Sequence, residues 1–256
     1  MKFKLGISIY SIPNHSFDIL IDFAEKNRFD AIEIWDSTII SNKNSLYRYL
    51  EKKDRELSIH APLLNIGDEK TLECNKRILR KTIEQARGYG ASKIVLHTGT
   101  LNNEDSHKCI EVAKRVIKTN IELLEQCNIL LCIENVGYLD DEMISNFEQL
   151  AAFVDLFPGH LVGVVFDISH ANVKGGVESG VRKLGNRIQY VHLADNNGEK
   201  DNHHKTLGEG NIDFNLLNKG IFPDDSLAIL EITPDSNWQN KLLDSRKILH
   251  KLNLVK

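Results

Sequence analysis

Six acidic or imidazole side chains each close a run of apolar residues. They are His60 in Ser58-Ile59-His60-Ala61-Pro62, His97 in Ile94-Val95-Leu96-His97-Thr98-Gly99, Glu134 in Leu131-Cys132-Ile133-Glu134-Asn135, Asp167 in Val164-Val165-Phe166-Asp167-Ile168-Ser169-His170, His192 in Tyr190-Val191-His192-Leu193, and Glu231 in Ala228-Ile229-Leu230-Glu231-Ile232. One histidine at the end of an apolar run is usually a hydrogen-bonded core residue. Six such groups separated by 25 to 39 residues form a pattern that chance rarely gives. If these ends converge, Glu134, Asp167 and Glu231 place three carboxylates in a poorly solvated space, which is unfavourable without compensation. Protons, a lysine or arginine, or a bound cation would relieve it. No lysine or arginine lies within these runs, whereas His60, His97, His170 and His192 do. A mixed carboxylate–imidazole set suits Zn²⁺, Mn²⁺, Fe²⁺ or Co²⁺, while Mg²⁺ and Ca²⁺ prefer oxygen throughout. Cys132 alternates with Glu134 and shares its face, but a small buried thiol accounts for it equally well.

The elements that must position these groups can be read from periodicity. Short runs rich in Val and Ile predict strands at Lys4–Tyr10, Ala31–Trp35, Leu57–His60, Lys93–His97, Leu130–Glu134, Val162–Asp167, Ile188–Leu193 and Leu227–Ile232. Amphipathic segments lie between them, such as Thr71–Arg87 and Asp105–Gln126, and Gly88 and Gly90 stand where the first of these should stop. Near-continuous apolar strands alternating with helices predict a parallel sheet buried on both faces. Eight units in 256 residues close naturally into one (β/α)8 TIM barrel of the α/β class, spanning residues 1–256 as a single domain. A doubly wound open sheet would usually carry a glycine-rich loop after its first strand, and Ser8-Ile9-Tyr10-Ser11-Ile12-Pro13 has no glycine. The functional face of a barrel is formed by the C-terminal ends of its strands, where the six groups stand.

Composition excludes several classes. With 32 Lys and Arg against 36 Asp and Glu, the chain has no global basic field to draw it to nucleic acid or anionic membrane. No stretch approaches the ~20 apolar residues of a membrane span, and the N-terminal Met1-Lys2-Phe3-Lys4-Leu5-Gly6 does not read as a signal peptide. Cys74, Cys109, Cys127 and Cys132 contain no C-x-x-C pair, which is consistent with free thiols and a cytoplasmic location.

The order and spacing of these motifs resemble the superfamily of xylose-isomerase-like TIM barrels, which includes sugar isomerases and epimerases and the endonuclease IV group, AP endonuclease family 2. The resemblance runs from Ser58-Ile59-His60-Ala61-Pro62 to Leu230-Glu231-Ile232 and covers essentially the whole chain. In the epimerase branch one divalent metal, commonly Mn²⁺, is held by Glu, Asp, His and Glu. The resemblance thus implies Glu134, Asp167, His192 and Glu231 as ligands, with Glu134 and Glu231 the acid/base pair of a proton transfer through an enediolate. His170 would contact a substrate oxygen. The nuclease branch builds a trinuclear zinc cluster with further histidines that match His60, His97 and His170, and with an Asp-x-His. Asp201-Asn202-His203-His204 fits that last motif in two registers: Asp201 with His203, or Asn202 with His204, the second of which removes the carboxylate.

Several residues pull towards the isomerases. Ala31-Ile32-Glu33-Ile34-Trp35 resembles their glutamate-bearing second strand, Leu63 and Leu64 stand where the nucleases place a tyrosine wedge, and Asp167-Ile168-Ser169-His170 departs from the nucleases' Asp-Thr-Cys-His. Gly198 stands where ketose epimerases use an arginine, so a simple free-ketose epimerase is not implied. Gly208 and Gly210 are candidates to bring backbone N–H groups to a substrate phosphate. Trp35 and Trp238 are candidate pocket walls, and Lys43, Arg48, Lys52, Lys53 and Arg55 form a basic cluster where nucleic acid would be sought. The expectation is a divalent-metal-dependent isomerase or epimerase of a small sugar or sugar phosphate. It would carry one Mn²⁺ or Zn²⁺, with donors for up to three ions, and is compatible with an oligomer. The alternative is a zinc phosphodiesterase acting on abasic-site DNA, in which case alone nucleic acid would be a partner.

Overall fold

Eight parallel strands pair in chain order and the last returns to the first, closing a barrel. The structure, a computed structural model, describes residues 2–137, 139–199, 204–218, 222 and 226–255. The strands are β1 (Lys4–Ser8), β2 (Ala31–Trp35), β3 (Glu56–His60), β4 (Lys93–Leu96), β5 (Leu130–Glu134), β6 (Val162–Asp167), β7 (Ile188–Leu193) and β8 (Leu227–Leu230). Four of them have the bounds that periodicity predicts. β1 stops early because the Ser8 hydroxyl accepts the Tyr10 N–H and starts a 3-10 turn over Ile9–Ser11. β8 ends at Leu230, so Glu231 stands one residue beyond its strand, as His97 does beyond β4.

The two-residue period of a strand explains how one chain builds both a dry core and a polar rim. The barrel interior is packed with Ala31, Val95, Cys132, Val165, Tyr190, Leu227 and Ile229. Six of these lie two residues before Glu33, His97, Glu134, Asp167, His192 and Glu231 respectively, so each apolar interior residue is followed on the same face by a polar one. The alternate residues, among them Ile32, Ile34, Ile94, Ile133, Val164, Phe166, Val191 and Leu230, point outward and are buried under the helices.

Those helices are α1 (Phe17–Lys26), α2 (Lys43–Leu50), α3 (Leu72–Tyr89), α4 (Ser106–Lys118), α5 (Ile121–Cys127), α6 (Phe147–Val154), α7 (Ile168–Val173), α8 (Val177–Leu184) and α9 (Trp238–Lys251). Gly90 caps α3 in the left-handed region at φ 78°, while Gly88 lies inside the helix. The single helix expected over Asp105–Gln126 is two helices, α4 and α5. Buried Asn120 explains the break: its side-chain amide donates to the Val116 and Lys76 carbonyls, competing with the helical ladder. Among the described residues no helix is long and apolar enough to cross a membrane.

Candidate metal centre

Glu134, at the end of β5, is the centre of the rim. Its Oε2 lies 2.9 Å from His97 Nε2 and 3.5 Å from His60 Nε2. Its Oε1 lies 3.3 Å from His192 Nδ1 and 3.5 Å from His170 Nδ1. His192 Nδ1 is also 3.1 Å from Glu231 Oε2, so the two glutamates flank the same imidazole nitrogen. Three groups of donor atoms result, each with its atoms within 4.8 Å of one another: His60, His97 and Glu134; Glu134, Asp167, His192 and Glu231; and Asp167, His170 and His204. The first two share Glu134, and the last two share Asp167.

Local structure sets these orientations. Asp167 is both the last residue of β6 and the N-cap of α7. Its Oδ1 accepts from the His170 N–H and from the Ser169 hydroxyl, each at 2.7 Å, while its buried Oδ2 has no hydrogen-bond partner. The same cap turns the chain so that His170, in the first turn of α7, faces back over the rim. The His170 Nδ1–H donates to the Asn135 carbonyl at 3.0 Å, and its Nε2 stands 3.3 Å from His204 Nε2. His60 likewise ties Nδ1 to the Ala61 carbonyl at 2.8 Å and presents Nε2 to Glu134. His204 stands in the third group with Asp167 and His170, while Asp201, Asn202 and His203 lie outside the described residues.

Glu33 was legible only as a family resemblance, yet it sits in the floor of this site. It is fully buried, and its Oε2 accepts from the Ser58 hydroxyl at 2.8 Å and the Tyr190 hydroxyl at 3.1 Å. His192 Nε2 lies 3.2 Å from Glu33 Oε1 and 3.3 Å from Oε2. The available signal was a lone carboxylate between Ile32 and Ile34 in an otherwise apolar strand.

The electrostatics follow from this crowding. Burial works to keep His60 neutral, but the hydrogen bond and charge of Glu134, with Glu33 and Glu231 behind it, raise it to about 9. His192 rises well above the usual imidazole value against the same burial, through the charges of Glu33, Glu231 and Glu134. Burial alone would raise Glu134 and Glu231. The imidazolium charge of His97 and His192 instead holds Glu134 well below the carboxylate range, and His192 lowers Glu231 to about 2. No lysine or arginine forms an ion pair with Glu134, Asp167 or Glu231 among the described residues.

The residues fit a divalent ion. Tetrahedral zinc with nitrogen ligands at about 2.0–2.1 Å keeps those ligands about 3.3–3.4 Å apart. The separations of 3.3 Å between His170 and His204 and 3.1–3.3 Å around His192 match that spacing. Asp167, whose buried Oδ2 has no hydrogen-bond partner, is the residue common to two of the groups. Cys132 does not belong to this set: burial pushes its thiol up to about 12, and it packs in the apolar layer beneath.

The rim opens on a cavity of about 440 Å³ bounded by Glu134, Glu231 and four histidines on one side and by Tyr10, Trp35, Pro62 and Leu63 on the other. Trp35 is thus a wall, while Trp238 packs on Phe23 with ring centroids 4.8 Å apart and is not among the lining residues. Within the basic cluster Lys52 pairs with Glu25 and Arg55 with Asp30, Arg55 and Lys43 lie over the Tyr49 and Tyr89 rings, and none of the five lines the cavity. Gly208 and Gly210 do not offer their N–H groups to a phosphate. Both donate to Asp195 Oδ2, at 2.8 and 3.0 Å, while Asn196 and Ile212 N–H donate to Oδ1. A Cβ at Gly210 would collide with Asp195 and the Asn196 carbonyl, so glycine is required there for the loop to wrap the carboxylate. Asp195→Ala is expected to cost about 2 kcal/mol or more by leaving these donors without their acceptor. A lowered denaturation midpoint with faster amide exchange at residues 208–212 would register it.

The model of the xylose isomerase-like TIM barrel family matches residues 21–252. The uncharacterized protein MJ1311 of Methanocaldococcus jannaschii is 30% identical over 230 residues, covering 84% of this chain and 78% of its own. A probable endonuclease 4 of Listeria monocytogenes is 29% identical over 181 residues, covering 63% of this chain and 60% of its own. A crystal structure of a D-tagatose 3-epimerase-like protein superposes with a TM-score of 0.83 at 25% identity, covering 98% of this chain and 97% of that one. With its closed eight-stranded barrel and the extent of these matches, the chain belongs to the xylose isomerase-like TIM barrel family.

Proposed function

We propose that the protein is a divalent-metal-dependent isomerase or epimerase acting on a small polyhydroxylated carbonyl compound. Glu134, Asp167, His192 and Glu231 would hold the principal ion, Mn²⁺ or Zn²⁺. The observation that carries this reading is the placement of two glutamates on either side of His192 Nδ1, both opening on one small cavity. A bound ion there would polarise the carbonyl and hydroxyl oxygens of a substrate and so acidify the C–H between them. Glu231, kept ionised by its surroundings, takes that proton on one side of the carbon. Glu134 faces it across the ligand group and serves as the second acid/base residue. The Trp35 and Tyr10 rings line the cavity and would give the exchanging carbon an apolar wall. No lysine or arginine is among the described residues lining the cavity, and the glycine N–H groups are taken by Asp195, which favours an uncharged substrate over a sugar phosphate.

One observation favours a second reading, phosphoester hydrolysis with several ions: Glu134 Oε2 faces His60 and His97 while its Oε1 faces His192, so that Glu134 belongs to two donor groups, as expected of a carboxylate bridging two ions. Metal analysis joined to two assays separates the readings. One ion per chain with exchange of a carbon-bound proton for solvent deuterium, across a panel of ketoses and aldoses, supports the isomerase. Three ions with nicking of an abasic-site duplex, strongly reduced by salt, supports the hydrolase and overturns the first reading.

A further inference from the structure

We infer that Glu33 is a positioning residue that holds His192 in the orientation and tautomer needed to ligate through Nδ1; this rests on the proposal that His192 is a metal ligand. An imidazole can offer a lone pair at one nitrogen while the other keeps its proton, and the partner of the protonated nitrogen decides which is which. His192 has a different environment at each end. Its Nδ1 stands 3.1 Å from Glu231 and 3.3 Å from Glu134, inside the four-residue donor group. Its Nε2 points away from that group, 3.2 Å from Glu33 Oε1. A carboxylate can only accept there, so the Nε2–H donates to Glu33 and the lone pair is left at Nδ1.

The placement of Glu33 is itself secured. Glu33 comes from β2 and His192 from β7, across the barrel interior, and both are fully buried. Donation from the Ser58 and Tyr190 hydroxyls to Glu33 Oε2 fixes the plane of the carboxylate. The layer directly below is apolar; the His192 Nε2 hydrogen bond reaches Glu33 Oε2 at 3.3 Å, and the buried Oε1, 3.2 Å from the same nitrogen, has no hydrogen-bond partner among the described residues. A carboxylate is expensive to bury; three donors, one of them the His192 ring N–H, converge on its Oε2, and the carboxylate adds negative charge behind the imidazole. That arrangement raises the basicity of a ligating histidine and commonly accounts for about 10–100-fold in metal affinity.

The test is Zn²⁺ affinity, measured by competition with a chromogenic chelator, for the natural chain, Glu33→Gln and Tyr190→Phe. Glu33→Gln keeps the size of the side chain but can turn its NH₂ towards His192 and carries no charge. It should weaken the tightest zinc site about 10–100-fold while thermal unfolding stays cooperative. Tyr190→Phe removes one donor from the same carboxylate but keeps its charge, the Ser58 donor and the acceptor facing His192 Nε2, so it should weaken the site clearly less than Glu33→Gln; an equal loss in both variants overturns the inference as general damage to the core. Affinity within about threefold in folded Glu33→Gln overturns the inference. Should Glu33→Gln fail to fold, nitrogen-15 resonances of His192 in the zinc-loaded natural chain decide: a protonated Nε2 with zinc-shifted Nδ1 supports the assignment, and the reverse overturns it. Failure of the natural chain to bind zinc instead removes the metal proposal itself, and this inference with it.

Discussion

Glu231→Gln should leave a folded barrel whose turnover has fallen by about 10³-fold or more and whose metal content has dropped. Two losses combine. A positioned acid/base group contributes about 10²–10⁴-fold to rate, and the amide can neither take nor return a proton in that way. The substitution also removes one of three carboxylates from the four-residue group, and a neutral amide oxygen is a weaker partner for a divalent ion. The folding cost should be small by comparison, because Glu231 stands beyond the end of β8 and faces the cavity rather than the apolar layer. Cys109→Ser is the matching control: its thiol is buried between α4 and the segment that precedes it, 4.0 Å from the Leu101 carbonyl, and Cys109 belongs to none of the three donor groups. The assay is deuterium exchange at a carbon-bound position beside metal quantification, with circular dichroism to verify folding. Full activity in Glu231→Gln would refute its role as acid/base and ligand together.

How far this site could be read from the chain follows from how each residue is held. Glu134 and Asp167 terminate apolar strands, His192 stands one residue before the end of its strand and Glu231 one residue beyond, and in a closed parallel barrel every strand delivers its C-terminal end to one rim, so position along the chain translates into position in space. The period of two does the rest, setting each of these groups above an apolar residue two places earlier. Contacts that cross the barrel have no such regularity. Glu33 reaches His192 over a separation of 159 residues, and nothing in Ala31-Ile32-Glu33-Ile34-Trp35 indicates which strand it faces. The loop after β7 was opaque for another reason. Gly208 and Gly210 have the composition of a phosphate-binding turn, but the anion their N–H groups meet is Asp195, thirteen and fifteen residues earlier in the same chain. The choice between His203 and His204 depends on how that loop folds, which spacing alone left in two registers. Asn120 divided an expected helix because a side-chain amide can take over carbonyls that amphipathic periodicity assigns to the ladder.

Zinc should raise the melting temperature by a margin that grows with pH. At a free concentration a thousandfold above its dissociation constant, an ion that binds only the folded state adds about 4 kcal/mol. For a chain of this size that corresponds to roughly 8–16 °C, at about 2–4 °C for each kcal/mol. The pH dependence comes from what balances the carboxylates before the ion arrives. His60 is raised from 6.5 to about 9, so in the ion-free protein its proton serves as the counter-charge to Glu134. A raised imidazole contributes stability that is complete below its unfolded value, near pH 6.5, and is lost as pH climbs through about 9. His192 is raised in the same direction and adds to the trend. The ion-free protein should therefore become less stable between pH 6.5 and 8.5. Over the same interval an entering ion has fewer protons to displace, so its affinity increases and fewer protons are released per ion bound. The two are one linkage seen from the ion-free and the loaded side, and it widens the gap between loaded and ion-free melting temperatures. Calorimetric scans at pH 6.5, 7.5 and 8.5, with zinc and with a chelator, measure that gap directly. A gap that stays constant or narrows would mean that His60 and His192 do not hold the place of a cation, and that the carboxylates of this rim are balanced by something else.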